Sequence, residues 1–238
     1  YADGLFVAAA VGAFVLVERD RLFWAGVVGI VATAGRPAGL VVAGALVIRV
    51  IERRNAARGE RGLRAAFDPR GLRRSDAPIF VVFAGVGAWC AFLWARFGDP
   101  LLFATVEASK GWDQGAGPST WLKFKLLETI EHNPFSANTL NLVAQGVLVI
   151  GGLALVPAVK RRFGWAYALY VVGVCGMALV GTKDFMGSGR YLLACFPLFA
   201  VLGDLLASRR RLRLAVVPLS LVALLGMAML FGRGSYLS

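Results

Sequence analysis

"IFVVFAGVGAWCAFLWAR" (residues 79–96) carries a single charge, Arg96, at its very end. It shows no alternation of apolar and polar residues, so it does not read as a half-buried strand. Wound as an α-helix it spans about 27 Å, close to the ~30 Å hydrocarbon core of a bilayer. In lipid every backbone N–H and C=O must be bonded within the protein. That leaves helices or closed barrels, and the alternating barrel pattern is absent. The stretch therefore decides for an all-α fold.

Outward from it, apolar runs recur at about 4–17, 22–35, 38–51, 141–157, 164–181, 190–206 and 214–231. Residues 79–96 and the last four runs approach the ~20 residues that a spanning helix needs. The first three are shorter, and Arg19, Arg21 and Arg49 would snorkel at their ends. The expectation is a polytopic transmembrane helical bundle of about 7–8 membrane helices. One further possibility concerns 22–51, which could form a single helix kinked at Pro37. Gly85, Gly87, Gly173 and Gly176 read as sites of close helix packing.

Composition agrees. The chain is 58% hydrophobic and 17% charged, with a mean hydropathy of +0.68, against about 25% charge in a soluble domain. The net charge of +12 sits in short clusters between apolar runs. That is the pattern of cytoplasmic loops and argues against nucleic acid as a partner. Cys90, Cys175 and Cys195 lie inside apolar runs without paired spacing, and read as small buried hydrophobes. The chain starts at Tyr1 with no basic segment or cleavage site, so it reads as a piece of a longer protein, without a signal peptide.

Basic loops set the orientation. Segment 52–78 holds eight arginines against four acids, and "KRR" (160–162) and "RRRLR" (209–213) follow. With all three in the cytoplasm, the spans between them pair off and the C-terminus lies outside. The 52–78 segment reads as a solvated, partly disordered strip near anionic lipid. Segment 97–140 then lies outside, and within it "STWLKFKLLETIEHNP" (119–134) reads as a short amphipathic helix. It would lie on the outer leaflet or pack on other extracytoplasmic parts.

The same parity brings Asp3, Arg36, Asp99, Glu107, Trp112, Asp113, Lys183, Asp184 and Arg190 to the outer face. Charges at one membrane boundary suggest one shared site. Arg36 could hold a lipid phosphate through its guanidinium fork or simply snorkel. Asp99, before Pro100, could bind a ligand or serve as a turn residue. Trp112 and Asp113 pair an apolar face with an acid, as sugars are often held. Lys183 and Arg190 flank a glycine-rich "GSG", and Arg190–Tyr191 begins a helix where a cation opposes the helix dipole. That placement calls for an anion, either a bound phosphate or Asp184. The lone histidine, His132, has no metal-binding company and reads as a surface group.

Four stretches in order resemble the GPI mannosyltransferase II (PIG-V-like) family and its bacterial relatives. "YADGLF" (1–6) is similar to the Y-x-E-x-L-F element, and "ATAGRPAGL" (32–40) to T-R-x-x-G-L. "FGDPLLF" (97–103), followed by Trp112, and "GSGRYLLACFPLF" (187–199) resemble the later outer loop and the R-Y-x-x-x-x-F-P-L-F helix start. The Ala, Arg, Gly and Val usage fits an actinobacterial member. Two departures stand out: Asp3 occupies the usual Glu position, and Ala38 separates Pro37 from Gly39.

The resemblance implies the C-terminal part (1–238) of one GT-C-like transmembrane glycosyltransferase domain in a multi-pass cell-membrane protein. Such enzymes transfer mannose from a polyprenyl-phosphate sugar donor to a lipid, glycan or protein acceptor on the extracytoplasmic side. No other cofactor is implied. The acidic catalytic base of the family would lie upstream of Tyr1, so 1–238 alone is expected to be inactive. Only binding roles carry over. Arg36, Lys183 and Arg190 would hold the donor phosphate, and Tyr191 accompanies Arg190. Asp3, Asp99 and Asp113 would hold sugar hydroxyls or position the acceptor, with Trp112 stacking. The rival readings are a transporter or flippase of lipid-linked glycans, and a non-catalytic membrane subunit.

Overall fold

A computed structural model of the chain describes residues 3–107, 109 and 117–234, and every regular element among them is helical. Three helices lead: α1 (Asp3–Glu18), α2 (Leu22–Gly35) and α3 (Gly39–Ala56). Two tight reversals join them, the first with Asp20 in the left-handed region (φ 59°). The second turns through Arg36–Ala38, where Pro37 cannot continue α2. Residues 22–51 are thus a hairpin and not one kinked helix. The hairpin is very close: a Cβ at Gly39 would lie 2.3 Å from the Ala32 carbonyl oxygen.

After α3 the chain folds back through α4 (Leu63–Phe67) and a 3₁₀ turn (Pro69–Gly71). It then enters a 3₁₀ stretch (Arg74–Phe83) that runs on into α5 (Ala84–Phe97). This arginine-rich segment is ordered, contrary to the expectation of a partly disordered strip. Buried Asn55 donates through Nδ2 to the Ala65 and Asp68 carbonyls at 2.7 and 2.9 Å. Asp76, 0% exposed, accepts from Arg54 at 2.6 Å. Burying that carboxylate demands a fixed partner, and the pairing pins the segment to the end of α3.

Segment 97–140 supplies α6 (Leu102–Glu107), α7 (Pro118–Trp121) and α8 (Phe124–His132). Next come α9 (Ala137–Ala154), α10 (Val156–Phe163), α11 (Trp165–Gly181), α12 (Ser188–Leu193), α13 (Phe196–Ser208) and α14 (Arg210–Gly232). Two expected runs are split by prolines at helix starts. Pro157 opens α10, ending α9 at Ala154, and Pro197 opens α13, separating it from α12. The Ala194 carbonyl at the second break accepts from the Phe196 N–H at 2.8 Å and from the Tyr170 hydroxyl at 2.7 Å.

The core lies where α1, α3, α11 and α12–α13 meet, around the rings of Phe14, Tyr167, Tyr170 and Phe196. Small residues bring backbones together elsewhere. A Cβ at Gly85 would sit 2.3 Å from Thr33 Oγ1, and one at Gly173 would sit 2.4 Å from Val41. Gly87 and Gly176 have nothing within 4 Å, so they do not serve packing within the chain. Cys175 and Cys195 are buried free thiols and Cys90 is half-buried.

Arg74–Phe97, Ala137–Ala154 and Arg210–Met229 are long and apolar enough to cross a membrane. Leu22–Gly35, Trp165–Gly181 and Phe196–Ser208 are apolar but shorter. None of the α14 window is buried, and residues such as Leu219 are 69% exposed. A helix whose residues after Arg213 are almost all apolar, left bare in this way, belongs in lipid or against protein, not in water.

The bundle has two chemically distinct ends. At one, Arg49 pairs with Glu18 and Glu52 at 2.6 and 2.9 Å. Glu18 also accepts from the Tyr167 hydroxyl at 2.8 Å, and Glu52 from the Trp165 N–H at 2.7 Å. Arg162 pairs with Asp204 at 2.8 Å. All three basic loops therefore share this end, as the parity of the spans requires. The Asp3 end of α1, the Arg36 end of α2 and the Gly181 end of α11 face the other way.

Candidate functional site

At the end opposite the basic loops, Asp3 in the first turn of α1 forms an ion pair with Arg36. Arg36 caps α2 in extended conformation (φ −158°, ψ 150°). Each side chain is about one-fifth exposed (20% and 19%). Each also sits where helix electrostatics favours it, an acid at an N-terminus and a base at a C-terminus. Two residues singled out separately in the sequence thus form one unit, in which the carboxylate orients the guanidinium.

The segment after α11 is shaped by its own turns. Asp184 accepts from the Met186 N–H at 3.0 Å through Oδ1, closing an Asx turn. Among the described residues no ion pair joins Asp184 to Lys183 or Arg190. Gly187 follows at φ 77°, a conformation that costs other residues, and α12 begins. Arg190 folds back toward the helix start, as helical side chains do: a Cβ at Gly187 would lie 3.3 Å from its Nη2. The Ser188 hydroxyl is fully buried and without a hydrogen-bond partner among the described residues. Gln145 of α9 accepts from the Gly189 N–H at 3.1 Å, which ties α12 to α9. Tyr191 packs against the core.

Asp99 takes the turn role. Gly98 closes α5 with φ 77°, and Asp99 Oδ1 accepts from the Leu101 N–H at 2.8 Å. Trp112 and Asp113 lie outside the described residues. His132 is exposed, its Nδ1 2.9 Å from the Glu128 carbonyl oxygen.

Lys123 is the residue that sequence reasoning missed. The expected helix 119–134 is two pieces, because Lys123 takes the left-handed conformation (φ 56°) between α7 and α8. Its side chain is 8% exposed and reaches the C-terminus of α11. Nζ donates to the Leu179 carbonyl at 2.7 Å and to the Thr182 carbonyl, and lies 4.5 Å from the centre of the Phe185 ring. A lysine here satisfies carbonyls that the helix end leaves unpaired. It docks the outer loop beside the 181–190 segment. Of the apolar stripe, Leu126 is buried and Ile130 packs on the core, while Trp121, Leu122 and Phe124 stay exposed.

Burial pulls the Lys123 ammonium down to about 8 from its ordinary value of 10.5, with the Asp184 charge opposing. Between these values the unfolded chain binds more protons than the folded one. Stability therefore rises with pH from about 8 to 10.5, and the full cost of burying the charge is present below 8. Hydrogen exchange of the 118–132 amides should accordingly slow, relative to intrinsic rates, when the pH is raised from 7 to 9.5. Lys123→Met should remove that pH dependence and expose the segment. Protection in the variant equal to that of the wild type at each pH would contradict this role.

No protein-family model, no curated protein and no solved structure matches the chain.

Proposed function

We propose that the protein is a multi-pass membrane glycosyltransferase that transfers mannose from a polyprenyl-phosphate donor on the extracytoplasmic side. One observation carries the reading. Of the stretches that resemble the mannosyltransferase family, 1–6 and 32–40 meet at one end of the bundle, and α12, within 187–199, packs against α1. Asp3 and Arg36 are paired there, and Arg190 lies over Gly187.

In this reading about 7–8 helices cross or enter the bilayer, with the basic end cytoplasmic. The exposed Trp121, Leu122 and Phe124 rest on the outer leaflet. Arg36, Lys183 and Arg190 hold the donor phosphate and stabilise the charge that grows on it as the C1–O bond breaks. The acceptor oxygen forms the new bond to C1 with inversion, and its proton passes to a carboxylate base. Polyprenyl phosphate leaves.

A transporter would place ionised groups near mid-membrane. Here the ion pairs among the described residues lie at the two ends or on the exposed loop helix, and the bundle's interior polar contacts, Thr33 with Val82 and Tyr170 with Ala194, are uncharged. The test is chemical. Membranes containing the full-length protein and labelled polyprenyl-phosphomannose should yield labelled product together with free polyprenyl phosphate. Movement of intact donor across the membrane without bond cleavage would favour the transporter instead.

A further inference from the structure

The basic end carries a cleft of about 420 Å³ that glycosyl transfer at the opposite end leaves unused. One wall is a single stripe of α3, formed by Arg49, Glu52, Arg53 and Ala56, whose spacing of three and four residues puts them on one helix face. The chain reverses past this wall through Gly59 (φ 85°) and Gly62 (φ 104°) into α4. Ala65 and Ala66 of α4 are buried and close the opposite side. The two Asn55 hydrogen bonds hold the walls at a fixed separation. Small side chains on the α4 side keep the space open.

The charges inside are not balanced. Arg49 is bonded to both Glu18 and Glu52, and Glu52 also accepts from the backbone N–H of Trp165, so these carboxylates are committed. Arg53 donates to the Val17 carbonyl and forms no ion pair among the described residues. Neither does Arg61 on the rim. A guanidinium has five N–H donors, so Arg53 retains several that can face the cleft. Glu60 offsets only one of the two positive charges. Arg58 and Arg64 lie close by in sequence and add to the positive field.

We propose that this cleft binds a phosphate group, from an anionic phospholipid headgroup or a soluble phosphate, between Arg53 of α3 and Arg61 of the turn. Paired guanidiniums suit a multi-oxygen anion better than a single carboxylate ligand. The apolar turns of α3 lie directly before Arg49, which puts the cleft at the level where headgroups meet helix ends.

The test uses the purified full-length protein in neutral detergent, with dioleoylphosphatidylglycerol, dioleoylphosphatidylcholine and inorganic phosphate as separate probes. Bound lipid and the unfolding midpoint are read together. Phosphatidylglycerol should bind at least about tenfold more tightly than phosphatidylcholine, and Arg61→Ala should weaken it about tenfold. Arg61 is exposed, so this change spares the fold. Arg53→Lys should retain more binding than Arg53→Ala. Arg162→Ala, a cation at the same end already paired with Asp204, should change nothing. Displacement of the lipid by millimolar inorganic phosphate would identify a soluble ligand of the same site, whereas its failure to displace identifies the lipid. Undiminished binding in both Arg61→Ala and Arg53→Ala, or an equal loss in Arg162→Ala, would overturn the assignment.

Discussion

Arg190→Ala in the full-length protein should lower mannosyl transfer by about a hundredfold or more, with expression and membrane insertion unchanged. The half-buried side chain leans over Gly187 in the short helix α12. Asp184 does not compensate it, because that carboxylate is engaged with the Met186 N–H. A negative charge that develops on a departing phosphate would make the guanidinium worth most in the transition state, so the loss should fall mainly on kcat. Arg190→Lys should be intermediate, since it keeps the charge and loses the fork. Near-normal transfer in Arg190→Ala would remove the residue from the site.

Gly39→Val should destabilise the protein by about 3 kcal/mol or more, at the upper end for overpacking. The three atoms nearest a Cβ at this position are the Ala32 carbonyl oxygen at 2.3 Å, Thr33 Cα at 2.5 Å and the Ala32 carbonyl carbon at 2.6 Å. All are backbone, so no rotamer change relieves the overlap. Opening the α2–α3 hairpin would also draw Arg36 away from Asp3, and transfer should fall along with stability. Gly44→Ala in the same helix is the control, because nothing lies within 4 Å of the added methyl. It should be neutral or slightly stabilising, since alanine is the better helix former. Equal unfolding midpoints for Gly39→Val and Gly44→Ala would show that the hairpin is not packed as described.

Much of the helix layout was legible locally. The run at 22–35 coincides with α2, and 164–181 is one residue longer than α11. Period and hydrophobicity suffice for that, because each helix satisfies its own backbone. The two proline-split runs were misjudged for the same reason: Pro157 and Pro197 lie within apolar sequence and do not interrupt hydropathy, only hydrogen bonding. Partner choice was much less visible. Tyr167 meets Glu18 across 149 positions in the chain, and no spacing announces such a bond. Asn55 and Asp76 looked like ordinary loop polarity, yet they order the whole 52–78 segment through buried contacts. Lys123 was hidden by its own context, since an amphipathic pattern runs straight through it while its backbone leaves the helix. For Asp3 and Arg36, a common end followed from loop charge, but their pairing and the turn role of Asp99 needed coordinates.

Sidedness of transfer tests the central claim most directly. Sealed vesicles of known orientation, containing the full-length protein, would be given a water-soluble short-chain polyprenyl-phosphomannose from the outside only. Labelled product should form in right-side-out vesicles, whose exposed face in the proposed orientation carries Asp3, Arg36 and Arg190, and should be largely absent from inverted ones until they are permeabilised. Equal product in both orientations, or product only where the arginine-rich end is exposed, would contradict the account.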